Sequence, residues 1–347
     1  MDVRPQAERV RNPVLLEGRP QGQGRIIQRM RSLRFFCLIS GLAISLIRPG
    51  ASTAQFSPPF DASYSGYEFP TTGIPAGAGA FAFVPGDPNT LLMIGAASTL
   101  DARIYSVGVT RDVNGHMTAL AGSPMLFALA NGVLGGASKG LAYGPGGVLF
   151  YITSDNQLGE IKPGSIAPDR LIDLTPLGVA TGGQQSLSFV PSGLAGSGDL
   201  KVVANNGGWY NMNLTPDGIG TFNVSVDSFI PMAHGGVGIN FVSSASNPVF
   251  GLDSVLVASY SDDLITAYAI DANGDPIIGT GRTFRVAAFA SGGAVDPVTG
   301  DFLFTTLDNV EVNRIGFPIP EPSAAAFLCL GALVSQSVLY FRRTRRQ

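Results

Sequence analysis

The chain has 347 residues, of which 45 are glycine and 24 proline, while only 14% are charged and 45% are hydrophobic. This argues against a disordered chain, which would be charge-rich and apolar-poor, and the glycines lack the three-residue period of collagen; turn formers in such excess predict many short strands. The net charge of −3 averages two basic ends and an acidic body: between Gln55 and Pro320 lie nine basic and 21 acidic residues, which argues against a nucleic-acid-binding surface.

Residues 1–29 are polar, arginine-rich and without periodicity, which marks them as an extension ahead of a start at Met30. From Met30 the chain reads as a secretory signal peptide over 30–54. Arg31 and Arg34 supply the positive start, and Phe35 to Ile47 the apolar core. Ser52-Thr53-Ala54 places small residues at −3 and −1 of a cleavage between Ala54 and Gln55. Thirteen helical residues span roughly 20 Å, too short for a ~30 Å bilayer core. Cys37 and Cys329, the two cysteines, both lie in the apolar end segments, so the body can form neither a disulfide framework nor a thiolate metal site.

The body, 55–318, carries a repeat. Ala80–Pro85, Gly140–Pro145, Ser186–Pro191, Gly238–Ser243 and Gly292–Pro297 share one pattern and recur about every 53 residues. Counted back from each last residue, position −2 is Phe83, Tyr143, Phe189, Phe241 and Val295. Position −4 is Phe81, Leu141, Leu187, Ile239 and Gly293, and the positions between are nearly all small. Large and small residues alternating at period two predict a strand buried on both faces. A second and a third apolar strand follow each time, for example Leu200–Ala204 and Trp209–Leu214, and a fourth where the pattern allows, as at Leu171–Leu174 and Phe222–Val226. Four strands per repeat predict an all-β fold, a β-propeller of five blades, with six as the alternative count. The fifth repeat stops after three strands. Tyr64–Pro70 is then expected to supply its missing outer strand and close the ring. A β-sandwich or β-helix competes less well, because sandwiches seldom repeat in sequence and β-helix turns are shorter. The strand–Pro–Gly pattern looks like NHL-type or SMP-30-type six-bladed propellers, although no blade carries a complete signature of either.

Candidate chemistry in the body is sparse. Lys139, Gln185 and His234 fall just ahead of inner strands, at the expected mouth of the axis, where propellers bind ligands. His116 follows Asn114-Gly115 and reads as an exposed turn residue. Asp271-Ala-Asn-Gly-Asp275 opens like a calcium loop, but Pro276 and Arg282 stand where the EF-hand needs glycine and glutamate, so a hairpin turn is expected. Calcium stays open as a ligand of this acidic body; no other cofactor is indicated. Trp209 beside Tyr210 reads as packing between blades or as a sugar platform. Zincin, Walker and three-glycine Rossmann patterns do not occur in the sequence.

The tail, 319–347, joins Pro320-Glu321-Pro322, an apolar run from Ala324 to Phe341, and the basic cluster Arg342, Arg343, Arg345 and Arg346. The run is just long enough for a transmembrane helix, although Ser335-Gln336-Ser337 weakens it, and the arginines would hold its end in the cytoplasm. Together with the signal peptide, this resembles the PEP-CTERM sorting signal of Gram-negative bacteria. The resemblance implies export through the Sec translocon and transient anchoring in the inner membrane. It further implies recognition and trimming by an exosortase, a membrane cysteine protease, and delivery to the cell surface or an exopolysaccharide matrix. Two functions are then expected to compete. One is a non-catalytic structural or binding propeller touching exopolysaccharide or other surface proteins. The other is a secreted lactonase-like hydrolase with calcium at the axis. The Gly, Ser and Ala at the inner-strand mouths favour the first.

Overall fold

The computed structural model describes residues 55–316 apart from 182, 233 and 234. Ala54, His234, the signal segment and the sorting signal lie outside the described residues. The chain first lays down β1 (Tyr64–Pro70). Blade 1 follows as β2 (Phe81–Val84), β3 (Asp87–Gly95), β4 (Arg103–Arg111) and β5 (Met117–Leu129). Blade 2 is β6 (Ala137–Tyr143), β7 (Leu149–Thr153), β8 (Gln157–Ile161) and β9 (Arg170–Asp173). Blade 3 is β10 (Gln185–Phe189), β11 (Leu200–Ala204), β12 (Gly208–Pro216) and β13 (Phe222–Pro231). Blade 4 is β14 (Gly238–Val242), β15 (Ser254–Ser259), β16 (Leu264–Ala269) and β17 (Arg282–Val286). Blade 5 holds β18 (Ala290–Val295), β19 (Phe302–Thr306) and β20 (Asn309–Ile315).

Each blade is an antiparallel sheet in chain order, and β1 adds to the outside of β20, with Tyr64 opposite Ile315 and Pro70 opposite Asn309. The five-bladed propeller closed by an N-terminal strand is therefore the observed fold, and the count of six is set aside. Among the described residues no helix is long and apolar enough to cross a membrane.

The alternation in the strands explains how the blades stack. In β3, Leu92 and Ile94 pack against blade 2, whereas Leu91 and Met93 pack against blade 5. In β7, Leu149 and Tyr151 face blade 1, while Phe150 and Ile152 face blade 3. Each sheet thus buries both faces, and the apolar core is five wedges, one between each pair of neighbouring blades. The wedge between blades 4 and 5 is aromatic, with Phe56, Phe60, Tyr64, Phe250, Phe284 and Phe302 in edge and stacked contacts. Trp209 packs between blades 3 and 4 and Tyr210 between blades 2 and 3, which is the packing reading of that pair.

At the axis the inner strands meet backbone to backbone. A Cβ on Gly238 would lie 2.0 Å from the Gly292 carbonyl oxygen, and one on Gly293 2.3 Å from that of Ile239. Ala80 donates its amide to the Ser138 carbonyl at 3.2 Å and Gly292 to the Val237 carbonyl at 2.8 Å, so backbone bonds join neighbouring blades. β18 also touches β6 and β10 across the ring. The small residues of the inner strands thus leave room for direct backbone contact between blades.

Gly238→Ala should separate blades 4 and 5 and cost on the order of 3 kcal/mol, lowering Tm by roughly 6–12 °C. Gly86→Ala, in open space at φ +80°, should cost only the left-handed backbone penalty of about 1–2 kcal/mol. Thermal melts of the two variants check this, and equal losses would contradict a close-packed axis.

Candidate functional site

Strand direction alternates within a blade, so the turns between strands one and two and between strands three and four open on one face of the ring. The turns between strands two and three and the links between blades open on the other. The first face is built from clasps. Asp112, Asp217 and Asp271 each start a turn between third and fourth strands, and each Oδ1 accepts the amides two and four residues on at 2.8–3.1 Å. The end of each turn docks on the preceding blade. His116 Nδ1 lies 2.7 Å from Asp301 Oδ2, Phe222 donates its amide to Glu160 Oε2 at 2.8 Å, and Asp275 Oδ1 accepts Lys201 Nζ and Trp209 Nε1, both at 2.8 Å. Arg111–Asp296 (2.6 Å) and Arg170–Asp217 (2.8 Å) add ion pairs between blades. The turn at Asp271–Asp275 is a hairpin turn as expected, its carboxylates engaged by amides, a lysine and an indole. His116 departs from expectation: it is partly buried and held by a fully buried carboxylate. Among the described residues no group of three or more His, Cys, Asp or Glu could hold a metal ion.

The second face holds the predicted axis-mouth residues. Lys139 is buried and donates from Nζ to the Ala78 carbonyl at 2.9 Å. Burial pulls its ammonium down to about 8, because an apolar site penalises the charged form. Gln185 is buried, and its Nε2 donates to Asn156 Oδ1 at 2.7 Å and to the Ala180 carbonyl at 2.8 Å. Ser186 Oγ donates to the Lys139 carbonyl at 2.9 Å. Lys139 and Gln185 thus stitch the first three blades together. The structure does not bring them to a shared opening.

All six described non-glycine residues at positive φ lie on this second face: Ala96, Ser98, Asn156, Asp263, Phe289 and Leu307. Phe289 at 60° and Leu307 at 32° are bulky, exposed, and on the rim of one cavity between blades 4 and 5. Side chains rarely take such backbone, and it clusters at functional sites. The cavity holds about 550 Å³, and its charged lining is Glu68, Arg285, Asp308 and Glu311.

Local folding places these charges. Glu68 of β1 lies directly opposite Glu311 of β20, an arrangement that repels unless a cation intervenes. Arg285 of β17 supplies it: Nη1 reaches Glu311 Oε1 at 2.5 Å and Asn313 Oδ1 at 2.8 Å, and Nη2 stands 3.8 Å from Glu68 Oε1. Its guanidinium lies 5.3 Å over the Phe56 ring. Arg285 and Glu311 are 3% and 1% exposed, so burial pushes the carboxyl above its usual range and the guanidinium below its own. The two opposite charges work against those shifts. Glu311 Oε2 and Arg285 Nε have no hydrogen-bond partner among the described residues.

Sequence reasoning missed this cluster. A glutamate between Val310 and Val312 is a charge in a buried strand and signals a hidden partner, but not that the partner lies 26 residues away on another blade.

No family model matches the sequence, and no curated protein matches it. Among solved structures, the chain is similar to the β-propeller domain of Cps50 (Swd1) from Myceliophteria thermophila, at 10% identity over 67% of this chain and 68% of that one, with a TM-score of 0.35. It is also similar to a candidate oxidoreductase (glucose dehydrogenase) from Thermus thermophilus, at 14% identity over 69% and 84%, TM-score 0.40. A candidate gluconolactonase gives 12% identity over 76% and 97%, TM-score 0.40. These likenesses concern strand architecture alone, and the blade count rests on the sheet order given above.

Lys139→Met should raise Tm at pH 6 by roughly 2–4 °C, about 1 kcal/mol, because it removes a buried charge held by one carbonyl. The unfolded lysine titrates near 10.5 and the folded one near 8, so the wild type gains stability across that window as the proton no longer has to be buried. The advantage of the variant should shrink from pH 8 to 10.5. A destabilised variant at pH 6, or a difference independent of pH, would contradict the assignment.

Proposed function

We propose that this chain is an exported surface or matrix protein, sorted by an exosortase, whose propeller binds rather than catalyses. Translation starts at Met30, the Sec translocon carries the chain out, and cleavage after Ala54 leaves Gln55 as the first residue. Pro320, Glu321 and Pro322, the apolar run after them, and Arg342, Arg343, Arg345 and Arg346 form the signal that the exosortase reads. The body that remains is acidic and touches exopolysaccharide or other surface proteins.

The observation that carries the non-catalytic reading is the commitment of the axis. A lactonase-like centre needs carboxylate, amide or imidazole groups free to converge at the inner-strand mouths. Here Lys139 and Gln185 are buried in bonds between blades, and the inner strands touch across the ring. The proposed cleavage point also suits the fold. Gln55 accepts the Val286 amide at 3.2 Å, Phe56 bridges to Arg285, and Ser57 donates to the Phe284 carbonyl at 3.0 Å. Among the described residues, Gln55, Phe56 and Ser57 pair with the edge of blade 4.

The test is mass spectrometry of the full-length gene product expressed in exosortase-positive and exosortase-negative cells. The surface form should begin at Gln55 and end near Pro320–Pro322 only where the exosortase is present, with ribosome profiling placing initiation at Met30. An intact tail on the surface form in both strains, or an N-terminus upstream of Met30, would sink the reading. Glu321→Ala should leave N-terminal cleavage unchanged and block trimming.

A further inference from the structure

We infer that the cavity between blades 4 and 5 is a binding site for an amine-bearing sugar. The inference rests on the reading of the body as a binding propeller and names the chemistry it would bind.

Charge selects a cation. Three carboxylates, Glu68, Asp308 and Glu311, line the cavity together with one guanidinium. Arg285 is engaged by Glu311 and Asn313, and reaches Glu68 only at 3.8 Å. Asp308 Oδ1 receives a long contact from the Gly77 amide at 3.4 Å, and Asp308 is exposed. In the processed chain the α-ammonium of Gln55 adds a second cation, so three carboxylates stand against two cations and the mouth keeps a net negative charge above a low-dielectric floor.

The floor holds a buried carboxylate oxygen without a partner among the described residues. Glu311 is buried and lines the cavity, yet its Oε2 accepts no hydrogen bond from the described residues, and Arg285 Nε donates none. Buried polar atoms are nearly always paired, and exceptions mark sites of function or bound molecules. Glu311 Oε2 is sealed from solvent, so a hydroxyl or ammonium would satisfy it only once the side chain turns toward the cavity.

The rim selects a sugar over a simple amine. Phe289 and Leu307 are exposed in strained backbone, so their position serves no core packing. The Phe289 ring is braced by Tyr260 at 5.2 Å between centroids and offers a flat apolar face to the C–H side of a pyranose. Gln55, Thr306 and Asn309 add amide and hydroxyl groups that both donate and accept, as ring hydroxyls require. An alkyl amine would leave those groups without partners. A volume of about 550 Å³ falls within the range of small-molecule sites and admits a disaccharide. A metal ion fits less well, since a guanidinium occupies the space between the two facing glutamates.

Three β-1,4-linked glucose-type disaccharides that differ only at the second ring carbon provide the test: the diamine chitobiosamine, its N-acetylated form, and cellobiose. Each is titrated calorimetrically into the purified signal-cleaved protein at pH 6, with saturation-transfer NMR reading the sugar protons. The diamine should bind about tenfold or more tightly than the other two, the equivalent of one charge-assisted hydrogen bond. Glu68→Gln and Asp308→Asn, both at accessible positions, should each weaken it several-fold with Tm unchanged. Phe289→Ala should remove the saturation transfer to the ring protons. Equal or tighter binding of cellobiose or the acetylated sugar would overturn the inference. So would no binding of the diamine, equal binding of cadaverine, or indifference to all three substitutions. The binding assay uses protein from either strain of the sorting experiment, so failure of one leaves the other readable.

Discussion

Five inner strands approaching one another through backbone atoms set the terms for the rest of this molecule. At Gly238 and Gly293 the carbonyl of the next blade stands where a Cβ would be, and amides of Ala80 and Gly292 bond across blade boundaries. Side chains that start near the axis therefore cannot converge on it. They turn sideways into the seams between blades, which is where Lys139, Gln185 and Ser186 make their bonds. A ring this tight has little room at its centre, and an open binding site is displaced outwards.

The seams show how the ring is held. Each is an apolar wedge, and three of them carry a polar clasp at one edge, formed by a turn that begins with aspartate and docks on the blade before it. The seam between blades 4 and 5 differs. There the first strand of the fold lies beside the last, two glutamates face each other, and an arginine of blade 4 stands between them. The charges that help to close the ring are the same ones that line its charged cavity. Buried charge of this kind contributes little net stability when paired and a large penalty when broken, so its presence speaks for specificity or binding more than for strength.

The inner, second and third strands were legible because both of their faces are buried, which makes large and small residues alternate without solvent to blur them. The closing strand was legible for a different reason: three strands cannot complete a blade, and Tyr64–Pro70 was the strand-like segment left over. Two outer strands escaped notice. β5 is mostly exposed and its register with β4 shifts three times, so no alternation survives in Met117–Leu129. β17 reads Arg-Thr-Phe-Arg-Val, in which Arg285 looks like a surface charge although it is buried. His116 was misread because its partner Asp301 is 185 residues distant. Distance along the chain hid the charged cavity in the same way, since Glu68, Arg285 and Glu311 come from three strands of two blades.

The packed axis is the claim on which the outward displacement of the site depends, and amide hydrogen exchange reads it most directly. The Ala80 and Gly292 amides, which donate between blades at the centre of the ring, should exchange only through global unfolding, at the free energy of the slowest amides of β11 and β15. Exchange of these two amides at the rate of exposed turn amides would mean a wet and open channel, and would contradict the account.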